Sequence, residues 1–593
     1  MEATPTYNNI PLQAGNFSTL PEALDYAAQG QTGYNFYDGR GKLSALLPYS
    51  KLRDDARSLA KRLNGLGLER GARVALVADT HPDFIRFFFA CQYAGLIPVP
   101  LPASIHMGGR TTYVNQLRRL LLSCRAAVAM ATDDFFPFLA EAAEGLQLRF
   151  CGTSDAFAQL PEAPIPLSPL GPKELAYIQY TSGSTRFPRG VMITQKAVLN
   201  NLANIIEYGG KIKAGDRCAS WLPFYHDMGL VGLVLVPVAA QMSVDYLSTR
   251  DFAMRPRLWL KLMTENRATI SIGPPFGYEL CLQRLRENDI EKFDLSAWRL
   301  AGVGAETIRP EPLIEFAKIL EPCGFNKEAF CACYGMAECS LAVSFAPLNA
   351  GLDIDYIDGD YLSDERQALP VKTEGSEGDV RLSRFVNCGV PLPDYEVEVR
   401  DEGGRPLPQR HVGTIYVKAA SLMSGYFGDL KLTQEVLTSD GWFNTGDLGY
   451  FIENSLFITG REKDMIIING RNIWPQDLEF AAEQQPEVRT GDASAFSVPG
   501  PDGKEKTVMM VQCRVSSDPQ RAELRERLQR LIHQELGIEC FIDLVPRNTL
   551  PRTTSGKLSR SKARKEFLRR VGAEQVKGSG SALFASLENK KAV

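Results

Sequence analysis

The sequence lacks a charge excess of either sign. Lys and Arg number 66 against 70 Asp and Glu, a net charge of -4. That balance excludes a nucleic-acid binder whose affinity rests on a global basic field. No secretory leader is expected either, because Met1-Glu2-Ala3-Thr4-Pro5 has neither a basic start nor an apolar core. The most apolar run, residues 228–242, contains Pro237 and falls short of the ~20 residues a membrane span needs. It reads as a buried core helix or strand. Paired Cys-x-x-Cys ligands of a zinc site are absent, Cys331 and Cys333 being only two apart. The 12 scattered cysteines read as reduced thiols, and a cytoplasmic location is expected. The Walker pattern G-x-x-x-x-G-K-[ST] does not occur, and no internal repeat is evident.

What is present is globular: 593 residues, 44% hydrophobic and 23% charged, enough for two or more domains. The first two thirds alternate short aliphatic runs with longer amphipathic ones. Residues 73–79 read as a buried strand, and Pro82 to Ala94 as a helix with Phe84, Phe87, Phe88 and Cys91 on one face. Residues 96–101 and 175–180 read as further strands. This grammar predicts an α/β protein with largely parallel sheets, whose ligands sit where strands end. From about Phe385 the pattern changes to period two, at residues 395–399 and 414–417 around the turn Asp401-Glu402-Gly403-Gly404. That predicts an antiparallel β subdomain over about 385–460. After Gly460 a short α+β unit is expected, with a loosely held tail from Val576.

The most informative stretch is Tyr180-Thr181-Ser182-Gly183-Ser184-Thr185-Arg186-Phe187-Pro188-Arg189-Gly190. It follows a strand and carries four Ser/Thr hydroxyls, two glycines and two guanidinium groups. Backbone N–H groups and hydroxyls in such a loop wrap phosphate oxygens, and arginine pairs with them bidentately. On composition alone it reads equally well as a surface loop.

The loop resembles the phosphate loop of the adenylate-forming enzymes: acyl-CoA synthetases, luciferases, peptide-synthetase adenylation domains and fatty acyl-AMP ligases. The superfamily's other motifs follow in order. They are residues 221–229 (WLPFYHDMG), 304–306 (GAE), 334–338 (YGMAE), 441–447 (GWFNTGD), 460–464 (GREKD) and 551–557 (PRTTSGK). The resemblance implies a large domain over 1–460 and a small mobile domain over 461–593. It also implies attack of a carboxylate on the α-phosphate of ATP. Two anions must meet in that reaction, so cations and N–H donors are needed where charge develops.

By the same resemblance, Thr181, Ser182, Gly183, Ser184 and Thr185 hold the β- and γ-phosphates, and Glu338 helps ligate Mg²⁺. Gly304, Ala305 and Glu306 face Tyr334, Gly335, Met336 and Ala337 across the adenine. Asp447 accepts from the ribose hydroxyls, Arg461 supports the ribose or α-phosphate, and Lys557 is the catalytic lysine. Lys463 is the hinge between domain poses. His226 orients the carboxylate and is not a general base, since a carboxylate nucleophile needs none. Tyr225, Met228, Gly229, Ile272 and Gly273 are expected to line a long apolar acyl pocket.

Three departures place the chain nearer the fatty acyl-AMP ligases. Arg186 and Arg189 stand where most members have Gly and Lys. Residues 225–230 match that branch's version of the motif. A stretch of about 350–383, carrying Asp353, Asp355, Asp358, Asp360, Asp364 and Glu365, resembles its insertion, which hinders the small domain from reaching its thioester-forming pose. This branch passes the acyl group to an acyl carrier protein. With 36 residues after Lys557, that partner is expected in trans. The basic run Lys557, Arg560, Lys562, Arg564, Lys565, Arg569 and Arg570 reads equally as its dock and as a solvated helix. Neither nucleic acid nor membrane insertion is expected. A long-chain acyl-CoA synthetase and a catalytically silent nucleotide-binding scaffold are the competing readings.

Overall fold

The computed structural model describes residues 2–103, 109–181, 188–371, 381–468, 471–499, 505–515, 517–553 and 557–576. The alternating strand–helix pattern builds two sheets with parallel cores. The larger has nine strands, ordered Val390–Pro391, Ala342–Phe345, Phe330–Gly335, Leu300–Val303, Ile270–Gly273, Arg217–Ser220, Ser243–Leu247, Gly33–Tyr37, Leu43–Pro48. Its six central strands are parallel and the edges antiparallel. The second sheet, Ile97–Leu101, Arg73–Val77, Ala126–Met130 and Phe150–Gly152, is parallel throughout. A strand covered on both faces needs apolar side chains on both, and Ile97–Leu101 is buried at every position.

Helix Pro82–Ala94 forms where its sequence signals place it. His81 caps its first turn, Pro82 supplies a pre-set φ, and Gly95 ends it in the left-handed region at φ 73°. Phe84, Phe87 and Phe88 are fully buried, each contributing roughly 1.5–3 kcal/mol of transfer free energy. The apolar run around Met228 is helical. Asp227–Leu230 leads into a π-helical turn, Val231–Leu235, and then into Val236–Ala239. A second π turn spans Ile205–Gly209. Such turns widen a helix locally and recur at functional sites.

Period-two segments form a four-stranded antiparallel sheet, Glu396–Arg400, Gly413–Lys418, Phe443–Ile452 and Ser455–Arg461. Farther along, Val488–Pro499, Glu505–Cys513 and Cys540–Val545 form a three-stranded sheet beside helices Pro475–Glu483, Asp518–Leu536 and Arg560–Val576. The buried apolar side chains of this C-terminal part form two clusters separate from the main core, one from Ile466 to Leu544 and one including Phe496, Met510 and Phe567, while Trp474 packs with the acidic stretch. Among the described residues, no helix is long and apolar enough to cross a membrane.

The acidic stretch is folded and paired. Strand Ile354–Asp358 pairs antiparallel with Leu382–Val386, and helix Gly359–Glu365 follows the first of them. Asp355 pairs with Arg410 at 3.0 Å and accepts from the Tyr450 hydroxyl at 2.7 Å. Arg471 meets Asp360 at 3.3 Å and Asp364 at 3.0 Å, and Arg381 meets Asp477 at 2.6 Å. The insertion therefore touches both the antiparallel sheet and the C-terminal part.

Candidate active site

Strand Leu175–Thr181 ends at the mouth of a cavity of about 420 Å³ that reaches between the large sheets, the antiparallel sheet and the C-terminal part. Its polar end is built by residues far apart in sequence. Asp447, on Phe443–Ile452, is nearly buried and holds two partners. The Tyr334 hydroxyl donates to one carboxylate oxygen at 2.8 Å, and Arg461 meets the other at 2.9 Å. Strand pairing sets Asp447 opposite Arg461. Asp447 in turn raises the Arg461 pKa further and keeps the guanidinium charged. Each carboxylate oxygen retains a free lone pair, so the group still accepts from a diol.

Lys557 enters from the C-terminal part, and its Nζ donates to the Ala305 carbonyl at 2.5 Å. Ala305 has φ 71°, a left-handed conformation unusual for a residue with a Cβ. Burial lowers the Lys557 pKa, while the carboxylates of Glu306, Asp227 and Asp447 act to hold its proton. Burial raises Glu306, which accepts from the Phe276 N–H at 3.3 Å. Burial would also raise Asp227, but His226 and Lys557 outweigh it and lower that carboxyl. His226 caps helix Asp227–Leu230 through Nδ1, 2.7 Å from Asp227.

Glu338 lies on the same cavity, and burial raises its pKa. One carboxylate oxygen accepts from the Tyr426 hydroxyl at 2.8 Å. The Tyr426 ring stacks under Arg189, 5.4 Å from centroid to guanidinium carbon. These residues meet because strand Gly425–Tyr426 pairs with Arg189–Thr194.

Beyond His226 the cavity becomes apolar. Met228, Gly232 and Val236 line it from the first π-containing helix, Ile205 and Ile212 from around the second π turn, and Ile272, Leu300, Leu341 and Phe345 from the opposite side. One continuous space thus joins a charged end to a greasy end.

Residues 28–427 match the AMP-binding enzyme family. The chain belongs to that family. Among solved structures, one from a study of fatty acyl-adenylate ligases of E. coli and L. pneumophila superimposes with a TM-score of 0.90. It is 47% identical, over 95% of this chain and 100% of that one. A Caulobacter vibrioides (strain NA1000 / CB15N) protein, provisionally named acyl-CoA synthetase, is 45% identical over 95% of this chain and 98% of its own length. The medium-chain-fatty-acid–[acyl-carrier-protein] ligase JamA of Moorena producens (strain JHB) is 31% identical over 93% of this chain and 95% of its own.

For an AMP-binding enzyme, the site gathers most of the residues singled out by sequence. Thr181, His226, Met228, Ile272, Ala305, Tyr334, Gly335, Met336, Ala337, Glu338, Arg461, Lys463 and Lys557 all face the cavity. Asp447 reaches it through Tyr334 and Arg461, and Glu306 stands beside Lys557. Ser182, Gly183, Ser184, Thr185 and Arg186 lie outside the described residues, as do Thr554, Ser555, Gly556, most of the tail and residues 372–380 of the insertion.

Three expected acyl contacts do not line the cavity. The Tyr225 carbonyl accepts from Gln179, and a Cβ on Gly229 would sit 2.1 Å from the Pro223 carbonyl oxygen. A Cβ on Gly273 would meet Trp221 at 3.2 Å. Those glycines serve packing. Gly304 is not on the cavity lining either; a Cβ there would meet the Cys333 carbonyl oxygen at 2.7 Å, so the glycine lets two strands approach. Of the basic run, Arg560 and Arg570 are engaged internally, by Glu479 and Asp464 and by Asp543, and Arg564 donates to the Ser497 carbonyl. Sequence reasoning missed Tyr426 and, apart from Ile272, the far apolar wall of Ile205, Ile212, Leu300, Leu341 and Phe345, whose residues carry no motif.

Proposed function

We propose that the chain activates a medium- or long-chain fatty acid with ATP and then passes the acyl group to the phosphopantetheine thiol of a separate acyl carrier protein. The observation that carries this reading is the single cavity with a charged end and an apolar limb, which suits a carboxylate with a hydrocarbon tail. A carboxylate oxygen attacks the α-phosphorus, the bond to the β-phosphate oxygen breaks, and pyrophosphate leaves. The thiolate then attacks the acyl carbon and AMP leaves.

Lys557 serves the first step as a point charge between the α-phosphate and carboxylate oxygens. His226 orients the carboxylate. Asp447 takes the ribose hydroxyls, with Arg461 beside it, and Ala305 and Tyr334 wall the adenine. Thr181 begins the phosphate loop that continues through residues 182–185. Lys463, exposed in the turn Glu462–Asp464, acts as the hinge.

Mg²⁺ fits this donor set. Among the described residues, no group of three His, Cys, Asp or Glu side chains converges to cage a metal. Glu338 offers its carboxylate to the cavity beside Tyr426 and Arg189, apart from the other lining carboxylates, Asp227, Glu435, Glu462 and Asp464. Bound there together with the triphosphate, the ion would neutralise phosphate charge.

The JamA resemblance supports carrier protein as acceptor, as does the insertion tied through Arg381 and Arg471 to the C-terminal part. Of the basic run, the exposed Lys562 and Lys565, with Arg569 paired to Glu566 on the same helix, are the members that could dock it. The Caulobacter relative favours a second reading, in which CoA is the acceptor. Pyrophosphate release across fatty acids of increasing length, with products resolved in the presence of CoA or of holo-carrier protein, tests both. Acyl-AMP that persists with CoA but is consumed by carrier protein is expected. Rapid acyl-CoA formation overturns the carrier assignment, and no pyrophosphate with any fatty acid overturns the substrate class.

A further inference from the structure

A closed circuit of contacts surrounds the lysine loop. Arg309 precedes helix Pro310–Leu320 and pairs with Glu483, the last residue of helix Pro475–Glu483. Glu483 is 3% exposed, and its other oxygen accepts from the Gly491 N–H at 2.7 Å. One turn earlier on the same helix, Glu479 holds Arg560 through two bonds of 2.7 Å. Arg560 also meets Asp464 at 3.0 Å. It follows Lys557 closely in the chain, and Lys557 bonds Ala305, which lies just before Arg309. Gln476, near the start of the same helix, reaches Thr307 at 3.4 Å. The two ends of Pro475–Glu483 are thus fastened to the 305–309 segment, and its middle is fastened to the lysine loop.

A buried carboxylate without its cation is strongly unfavourable, whereas a buried pair made neutral on both sides is often tolerated. Nothing in the adenylation chemistry itself requires Arg309, which lies off the cavity lining. Its contact is to the element that presents Lys557.

We propose that Arg309 is a positioning residue for Lys557: its ion pair with Glu483 docks helix Pro475–Glu483 against the 305–309 segment, and through Glu479 and Arg560 this fixes the lysine at the Ala305 carbonyl. This rests on the reading of Lys557 as the catalytic lysine. It follows that Arg309 acts on the first half-reaction and not on acyl transfer from acyl-AMP, and that its loss is cured by neutralising Glu483.

The test uses the full chain, with ATP–pyrophosphate exchange for adenylation and transfer from supplied acyl-AMP for the second step. Arg309→Ala should slow exchange about tenfold to a hundredfold, the buried-pair penalty reduced because Arg309 is one-third exposed. Transfer should change less than threefold. Adding Glu483→Gln should return exchange to within about threefold of the parent. Lysine footprinting by acetylation and mass spectrometry supplies a readout that needs no activity: Lys557 should label faster in Arg309→Ala and slowly again in the double variant. Equal loss in both half-reactions, no recovery in the double variant, or unchanged Lys557 labelling each overturns the proposal. Should Arg309→Ala not fold, the exchanged pair Arg309→Glu with Glu483→Arg takes its place, and slow exchange in that variant overturns it too. Lys557→Ala is the control: if it leaves exchange intact, the lysine reading fails, whatever Arg309 does.

Discussion

The apolar limb of the cavity makes a quantitative prediction at Gly232. This residue lines the cavity from the π turn Val231–Leu235, and a Cβ built on it meets only the tip of Leu341, at 3.2 Å. That contact is with the far end of a flexible side chain, so Gly232→Leu should be accommodated by the backbone while filling the limb. A leucine side chain occupies the room of about four methylenes. Each acyl methylene buried in the limb contributes about 0.8 kcal/mol, or roughly fourfold in kcat/KM. For the parent enzyme, log kcat/KM for pyrophosphate release should climb with that slope along a series of saturated fatty acids, then level off. For Gly232→Leu the plateau should arrive about four carbons earlier, with little change for the shortest acids. At the parent's optimal length the loss should reach about 3 kcal/mol, roughly 200-fold. A uniform fall at every chain length, with the plateau unmoved, would refute the assignment of this limb to the acyl chain.

Lys557→Ala removes the cation at the Ala305 carbonyl. Pyrophosphate release should fall about 10²- to 10³-fold, the usual effect of deleting one positioned donor at developing charge, while ATP binding measured by calorimetry changes little. Tyr426→Phe removes the hydroxyl bonded to Glu338 but keeps the ring under Arg189. The Mg²⁺ concentration for half-maximal rate should rise several-fold at nearly unchanged kcat, and a fall in kcat alone would discount the link. Burial pushes Glu483 up to about 7 despite the opposing pull of Arg309. Since the folded value exceeds the ordinary carboxylate value, this group favours the folded state at low pH. That contribution, at most about 3 kcal/mol, is lost as pH rises from about 4.5 through 7. Melting curves at pH 5 and pH 8 should show a smaller drop for Glu483→Gln than for the parent.

What could be read from the sequence was local. Helix Pro82–Ala94 matches its expected span because cap, first-turn proline and terminal glycine lie within it or next to it. Strand Leu175–Thr181 and the antiparallel strands around Asp401 carry their signals in consecutive residues. Most site motifs sit at a strand end or on a turn, and Asp447 is brought in by the pairing of its strand with Ser455–Arg461, so resemblance could name Asp447 and Lys557 without knowing what they touch. Contacts that depend on two distant strands left no local trace. Tyr426 meets Glu338 only because a two-residue strand joins Arg189–Thr194. The apolar wall of the cavity, likewise, is drawn from π turns and strands whose residues look like any core.

The basic run after Lys557 shows how such a reading goes astray, and why. A cluster of like charges read from sequence alone suggests a solvated face or a dock, because burial of a charge is expensive unless it is paired. Arg560 is paired twice over, by Glu479 on Pro475–Glu483 and by Asp464 in the turn after the Asp447-bearing sheet. Asp464 follows Lys463 directly and Glu479 shares its helix with Glu483. The same guanidinium therefore couples three things: the turn Glu462–Asp464, the helix that pairs with Arg309, and the segment that carries Lys557. A residue so placed cannot serve a carrier protein without releasing the lysine. If the small domain swings between half-reactions, Arg560 travels with Glu479 and Lys557 as one body, and the contacts that must break include those at Arg309, Thr307 and Ala305 and the insertion's pairs with Asp477 and Arg471.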